Sequence, residues 1–123
     1  MAVFGMAGGH PNPEAKAVSA GLEILQLLKA RYRTGDKRID VGIGINTGEV
    51  VAGYVSTKER VELAVLGDTV NVASGLQTLA RPNRIIIGPE TQAVVAGAFT
   101  IESRGETVIK ERSQAIQVYE VLG

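Results

Sequence analysis

Val18, Leu22, Leu25, Leu28 and Tyr32 recur at intervals of three and four, whereas Ile39, Val41, Ile43 and Ile45 recur at every second position. The first spacing places apolar side chains on one stripe of a helix and the second on one face of a strand. Asn12-Pro13-Glu14 opens the helical stretch: Asn accepts from free N–H groups, Pro fits the first helical position, and Glu complements the positive helix end. Lys29, Arg31 and Arg33 suit the other end, and Gly35 fits a left-handed cap, so a helix is predicted over 13–33. Arg38 to Asn46 is predicted as a strand with Asp40, Gly42, Gly44 and Asn46 on its second face. Two glycines there weaken a strand unless something approaches its backbone closely.

The remaining pattern alternates in the same way. Thr47-Gly48 reads as a bend, Glu49 to Val55 as a strand, Ser56 to Arg60 as a polar connection and Val61 to Leu66 as a strand, together a long twisted antiparallel pair. Asp68 is placed at the N-cap of a second helix whose buried side is Val70, Val72, Ala73, Leu76 and Leu79. Arg81-Pro82-Asn83 stops it, and Ile85 to Ile87 follows as a short buried strand. Gly88-Pro89-Glu90-Thr91 starts a short helix through Ala96. Phe99 to Glu102, Thr107 to Lys110 and Ala115 to Val121 are predicted as weaker strands. Met1 to Phe4 reads as the end of a strand and Gly8 to Asn12 as a turn. Strands alternating with helices in one unit predict a mixed α/β sandwich.

Composition narrows the chemistry. The 123 residues suit one domain, and 45% hydrophobic with 21% charged residues is the ordinary globular balance. Thirteen basic and thirteen acidic residues give a formal net charge of zero, which offers no general attraction to nucleic acid or an anionic membrane. No cysteine is present and His10 is the single histidine, so disulfides, thiolate catalysis and Cys/His metal clusters are excluded. No apolar run approaches the roughly 20 residues of a membrane helix. The N-terminus lacks the basic and apolar regions of a signal peptide, and the expected location is cytoplasmic.

Two segments carry a resemblance. Val41 to Gly53 (VGIGINTGEVVAG) is followed, after a gap of 12 residues, by Leu66 to Ser74 (LGDTVNVAS). In this order and spacing they resemble the catalytic domain of class III adenylate and guanylate cyclases. Met1 to Gly5, Glu59 to Glu62 and Val118 to Val121 agree with it, so the likeness covers essentially the whole chain. It implies a ferredoxin-like α+β fold with a mainly antiparallel sheet, here without the first β-α-β elements: residues 1–123 are expected to form a partial catalytic domain, incomplete at its N-terminus. It also implies conversion of ATP or GTP to a 3′,5′-cyclic nucleotide and pyrophosphate, by two domains paired head to tail and with Mg²⁺ or Mn²⁺ in a two-metal site.

Carried over residue by residue, the resemblance makes Asn71 the asparagine that orients the ribose. Four residues on, the family's phosphate-facing arginine is replaced by Gly75. Loss of such a donor commonly costs about 3–4 kcal/mol of barrier. Ala64 stands where the family has a base-reading Asp or Thr, and the Val65 carbonyl is a candidate adenine contact. Lys110 matches a lysine that grips terminal phosphates, although Glu111 replaces the following glycine. The metal carboxylates of the family have no counterpart in the chain; Asp36, Asp40 and Asp68 are read as turn or cap residues. The expectation is a cyclase domain inactive as this fragment. The alternative is a non-catalytic module that dimerises with a complete cyclase domain, as homodimer or heterodimer. An exposed strand edge left by missing leading elements favours such pairing.

Overall fold

The computed structural model describes residues 12–31, 41–48, 51–56, 61–66, 68–109 and 115–123, with backbone alone at 31, 51–56 and 61–66. Its elements follow in the order α1 (Pro13–Arg31), β1 (Gly42–Ile45), β2 (Val51–Ser56), β3 (Val61–Leu66), α2 (Asp68–Leu79), β4 (Arg84–Ile87), α3 (Pro89–Val95), β5 (Ile101–Val108) and β6 (Ala115–Val121). The expected strand at Met1 to Phe4, the cap at Gly35 and the start of the strand at Arg38 lie outside the described residues.

Four strands form one sheet in the order β1-β4-β6-β5, and β2 and β3 form a separate antiparallel ribbon. β1 runs parallel to β4, with Gly42 opposite Arg84 and Ile45 opposite Ile87. The β4–β6 and β6–β5 pairings are antiparallel. The sheet is therefore mixed. A parallel pair cannot be joined by a tight turn; here the connection holds the ribbon and all of α2.

The two faces of the sheet are read directly from strand alternation. Ile86 and Val118 point to one side and join Val72 and Leu76 of α2 and Ala80 just after it, with Ile109 beside them. Ile85, Ile87 and Val121 point to the other side and join Val18 of α1 and Val95 of α3. Each fully buried aliphatic side chain stabilises by about 1.5–3 kcal/mol. Because one face lies under α2 and the other under α1 and α3, β4 has to be apolar on both, hence the unbroken Ile85-Ile86-Ile87 run.

Local chemistry sets the element ends. At the start of α1 the Asn12 side chain accepts from the Ala15 N–H at 3.3 Å, the expected N-cap bond. Val18 is buried, and Leu22 and Leu25 pack against its cluster, as the apolar stripe predicts. On α2, Val72 and Leu76 are buried as expected, but Leu79 is 37% exposed and Ala80 takes the inner position. The 100° step per residue carries Leu79 past the sheet, while Ala80, four after Leu76, stays over it. The segments expected as two strands, 99–102 and 107–110, join into β5; the break is a register shift between Ser103 and Glu106, with Gly105 at φ +80°.

Candidate functional site

α2 is seated on β1 by backbone contact. A Cβ at Gly42 would come within 2.5 Å of the Gln77 carbonyl oxygen and 2.9 Å of the Arg81 nitrogen. One at Gly44 would land on the Gln77 amide and the Ala73 carbonyl. No side chain other than hydrogen leaves room for the helix at this distance. The close approach suggested by the glycine alternation is thus made by the helix that carries the candidate site.

The C-terminal end of β1 then locks the first turn of α2. Asn46 donates from Nδ2 to the Thr69 carbonyl at 3.1 Å. The Thr47 and Thr91 hydroxyls lie 2.8 Å apart, and Thr91 is fully buried at the start of α3. A groove of about 290 Å³ opens here, between Asn46 and Thr47, the α2 residues Asp68, Thr69 and Val72, and Glu90 and Ile116. Asp68 is the first residue of α2, one position inside the N-cap place expected for it. Among the described residues no three His, Cys, Asp or Glu side chains come together at one point.

Asn71 is exposed in the first turn of α2, outside the groove that Val72 borders. Gly75 lies one turn further along the same face and is half-buried. A Cβ at Gly75 would collide with the Cγ2 methyl of Ile109, a side chain only 2% exposed directly after β5. Ala64 and Val65 lie on β3, opposite Gly53 and Ala52 of β2, four and three residues before α2 begins. Asn71 and Gly75 thus lie on α2, the next described element after β3. Lys110, Asp36 and Asp40 lie outside the described residues, although Lys110 follows Ile109 directly in sequence.

A charged cluster was not anticipated. Glu120 is buried, and one of its oxygens accepts from Arg104 Nε at 3.0 Å and Nη2 at 2.8 Å, with Arg84 Nη1 at 4.0 Å. Arg84 also donates from Nη2 to the carbonyls of Leu79 and Arg81, at 3.1 and 3.0 Å, and so closes the C-terminal end of α2. Its guanidinium is committed at the end of the helix opposite Asn71, so it does not replace the arginine missing at Gly75. The signal for this cluster was present: Ile116, Val118 and Glu120 alternate, so Glu120 had to point inward and needed a cationic partner.

The model for the adenylate and guanylate cyclase catalytic domain matches residues 1–123. A terminal-differentiation-specific adenylate cyclase of Dictyostelium discoideum is 31% identical over 99% of this chain, which spans 6% of that protein. The receptor-type guanylate cyclase gcy-14 of Caenorhabditis elegans is 40% identical over 83% of the chain, which spans 9% of its length. The crystal structure of the adenylyl cyclase CyaB from P. aeruginosa superposes with a TM-score of 0.87 at 26% identity, covering 98% of this chain and 65% of that one. The curated relatives are thus far longer than this chain. Full-length coverage by the family model, together with the shared fold, establishes that the chain belongs to the adenylate and guanylate cyclase catalytic domain family.

Proposed function

We propose that this chain is the nucleotide-facing part of a nucleotidyl cyclase domain, one that converts ATP or GTP to a cyclic nucleotide only when other residues complete its site. The observation that carries this reading is the seating of α2. Backbone contact with Gly42 and Gly44, and the Asn46 bond to Thr69, fix the turn from which Asn71 projects into solvent. A group that orients a ribose must be held within a fraction of an ångström, and a helix packed backbone to backbone does this better than a loop. Ala64 and Val65, just upstream, would face the base, and Lys110 the terminal phosphates.

Divalent Mg²⁺ or Mn²⁺ is implied by the family, and such ions require several converging oxygen ligands. The described residues do not fit that need, since Asp68 and Glu90 border the groove without a third donor. Two features argue that this chain does not cyclise alone: Gly75 supplies no cation to the developing phosphate charge, and Ala64 offers no hydrogen bond to a purine.

The second reading is a non-catalytic module that pairs with a complete cyclase domain and lends it Asn71. Gly75 specifically favours it, because a bare helix at that position removes catalysis while leaving the surface around Asn71 intact. Pairing between two domains would also suit β1, which among the described strands bonds only to β4.

Incubation of the purified chain with ATP or GTP and Mn²⁺, followed by mass spectrometry, is expected to give no cyclic AMP or cyclic GMP above a boiled control. Product above that control would refute the inactive reading. Sedimentation at tens of micromolar is expected to show a dimer; a strictly monomeric chain would remove the self-pairing form of the proposal.

A further inference from the structure

Position 75 is closed by more than the absence of a side chain. Ile109 is buried, branched at Cβ, and lodged with its Cγ2 methyl where a side chain at 75 would begin; its own Cβ lies 3.5 Å from that point. It belongs to the cluster formed by Val72 and Leu76 of α2 with Ala80, Ile86 and Val118, so displacing it disturbs the packing beneath the site helix. The methyl in conflict is attached directly to Cβ, so torsions further along the side chain cannot move it away.

We infer that Gly75 and Ile109 form a matched steric pair, in which Ile109 occupies the exit path of any residue at 75, so that a cation at this position requires a second change at 109. Ile109 is therefore a positioning residue of the site. It determines whether α2 can present a cation one turn beyond Asn71. The inference rests on the cyclase reading for the use of that cation, but the steric pair itself is independent of it. It also links two of the sequence departures, Gly75 and Glu111, by chain proximity, because Ile109 is followed by Lys110 and Glu111.

Thermal unfolding without nucleotide tests the pair. In a helix interior, Ala is better than Gly by about 1 kcal/mol, so an unobstructed Gly75→Ala would raise Tm by about 3–6 °C in a chain of this size. The expected result is no rise, or a fall of a few degrees, because the added methyl overpacks Ile109. In an Ile109→Ala background, itself destabilised, the same Gly75→Ala change is expected to raise Tm by about 3–6 °C. Equal rises in both backgrounds would overturn the inference.

Binding of a fluorescent GTP or ATP analogue provides the second readout. Gly75→Arg together with Ile109→Ala is expected to bind about tenfold more tightly than Ile109→Ala alone, the scale of one charge-assisted phosphate contact. Gly75→Arg with Ile109 retained is expected to gain less than about twofold over the parent. A full tenfold gain from Gly75→Arg alone would overturn the pairing. Absence of nucleotide binding in every variant would instead refute the cyclase reading and leave the Tm arms to decide the steric pair.

Discussion

The two faces of the central sheet are held by different kinds of contact. Over β1, α2 rests on glycine, with backbone against backbone at Gly42 and Gly44. On the opposite face α1 also carries a glycine against the sheet, Gly21, but its neighbours are the tips of Ile85 and Ile43, 3.3 and 3.6 Å from where a Cβ would lie. A side-chain tip can yield by a rotamer adjustment, whereas a helix backbone can yield only by moving the helix. The face that bears the candidate site is therefore set by rigid contacts, and the other is filled by adaptable ones.

The sharpest way to break this contrast is Gly44→Ala. Its methyl meets the amide of Gln77 and the carbonyl of Ala73, so the expected loss is about 3 kcal/mol or more, at or above the usual ceiling for overpacking. Chemical denaturation measures it directly; a loss under about 1 kcal/mol would show that α2 slides freely on β1. Glu120→Gln comes next, at about 1–3 kcal/mol, since it weakens the charged anchor of β6 on Arg104 and Arg84 while preserving shape. A neutral outcome there would mean that the cluster contributes little to the α2 face. Gly21→Ala is expected to act in the opposite sense, with a gain of about 0.5–1 kcal/mol from helix propensity. Any marked loss at Gly21 would make the two faces equally unforgiving. The smallest effect is assigned to Asn71→Ala, within about 0.5 kcal/mol of the parent, because its side chain is exposed. A larger change would give Asn71 a role in the fold rather than in the site.

Much of this arrangement was legible in the residues. The helix predicted over 13–33 ends at Arg31 among the described residues, with the expected cap at Asn12 and the expected apolar stripe. The glycines of β1 announced a close neighbour, since period-two alternation leaves them on one face and only a backbone approach explains their lack of side chains. What the neighbour was did not follow, because the parallel pairing of β1 with β4 joins segments far apart in sequence and leaves no local mark. The segment after Thr47 was expected to continue one antiparallel pair, and β2 and β3 do pair so, but as a ribbon separate from the main sheet. The isolated residues 99–102 and 107–110 read as two strands because Gly105 interrupts the alternation; a bulge keeps the ladder while breaking the pattern. For the site, the family motifs point to Asn71 and Gly75, but the closure of position 75 by Ile109 is a tertiary contact that leaves no mark in the sequence. Residues 34 apart meet there, and neither one alone signals the other.

The parallel pairing of β1 with β4 also bears on how quickly the molecule can be made. Gly42 faces Arg84, and Ile86 faces Glu120, so neither rung of the ladder can close until the chain between has been drawn in. Closing such loops costs entropy before any contact repays it, and topologies of this kind refold in milliseconds to seconds rather than microseconds. α2 lies inside the first of these loops and shortens it by folding. Its formation is therefore expected to set the pace of refolding, so that substitutions along its inner face slow folding while those in α1 chiefly speed unfolding.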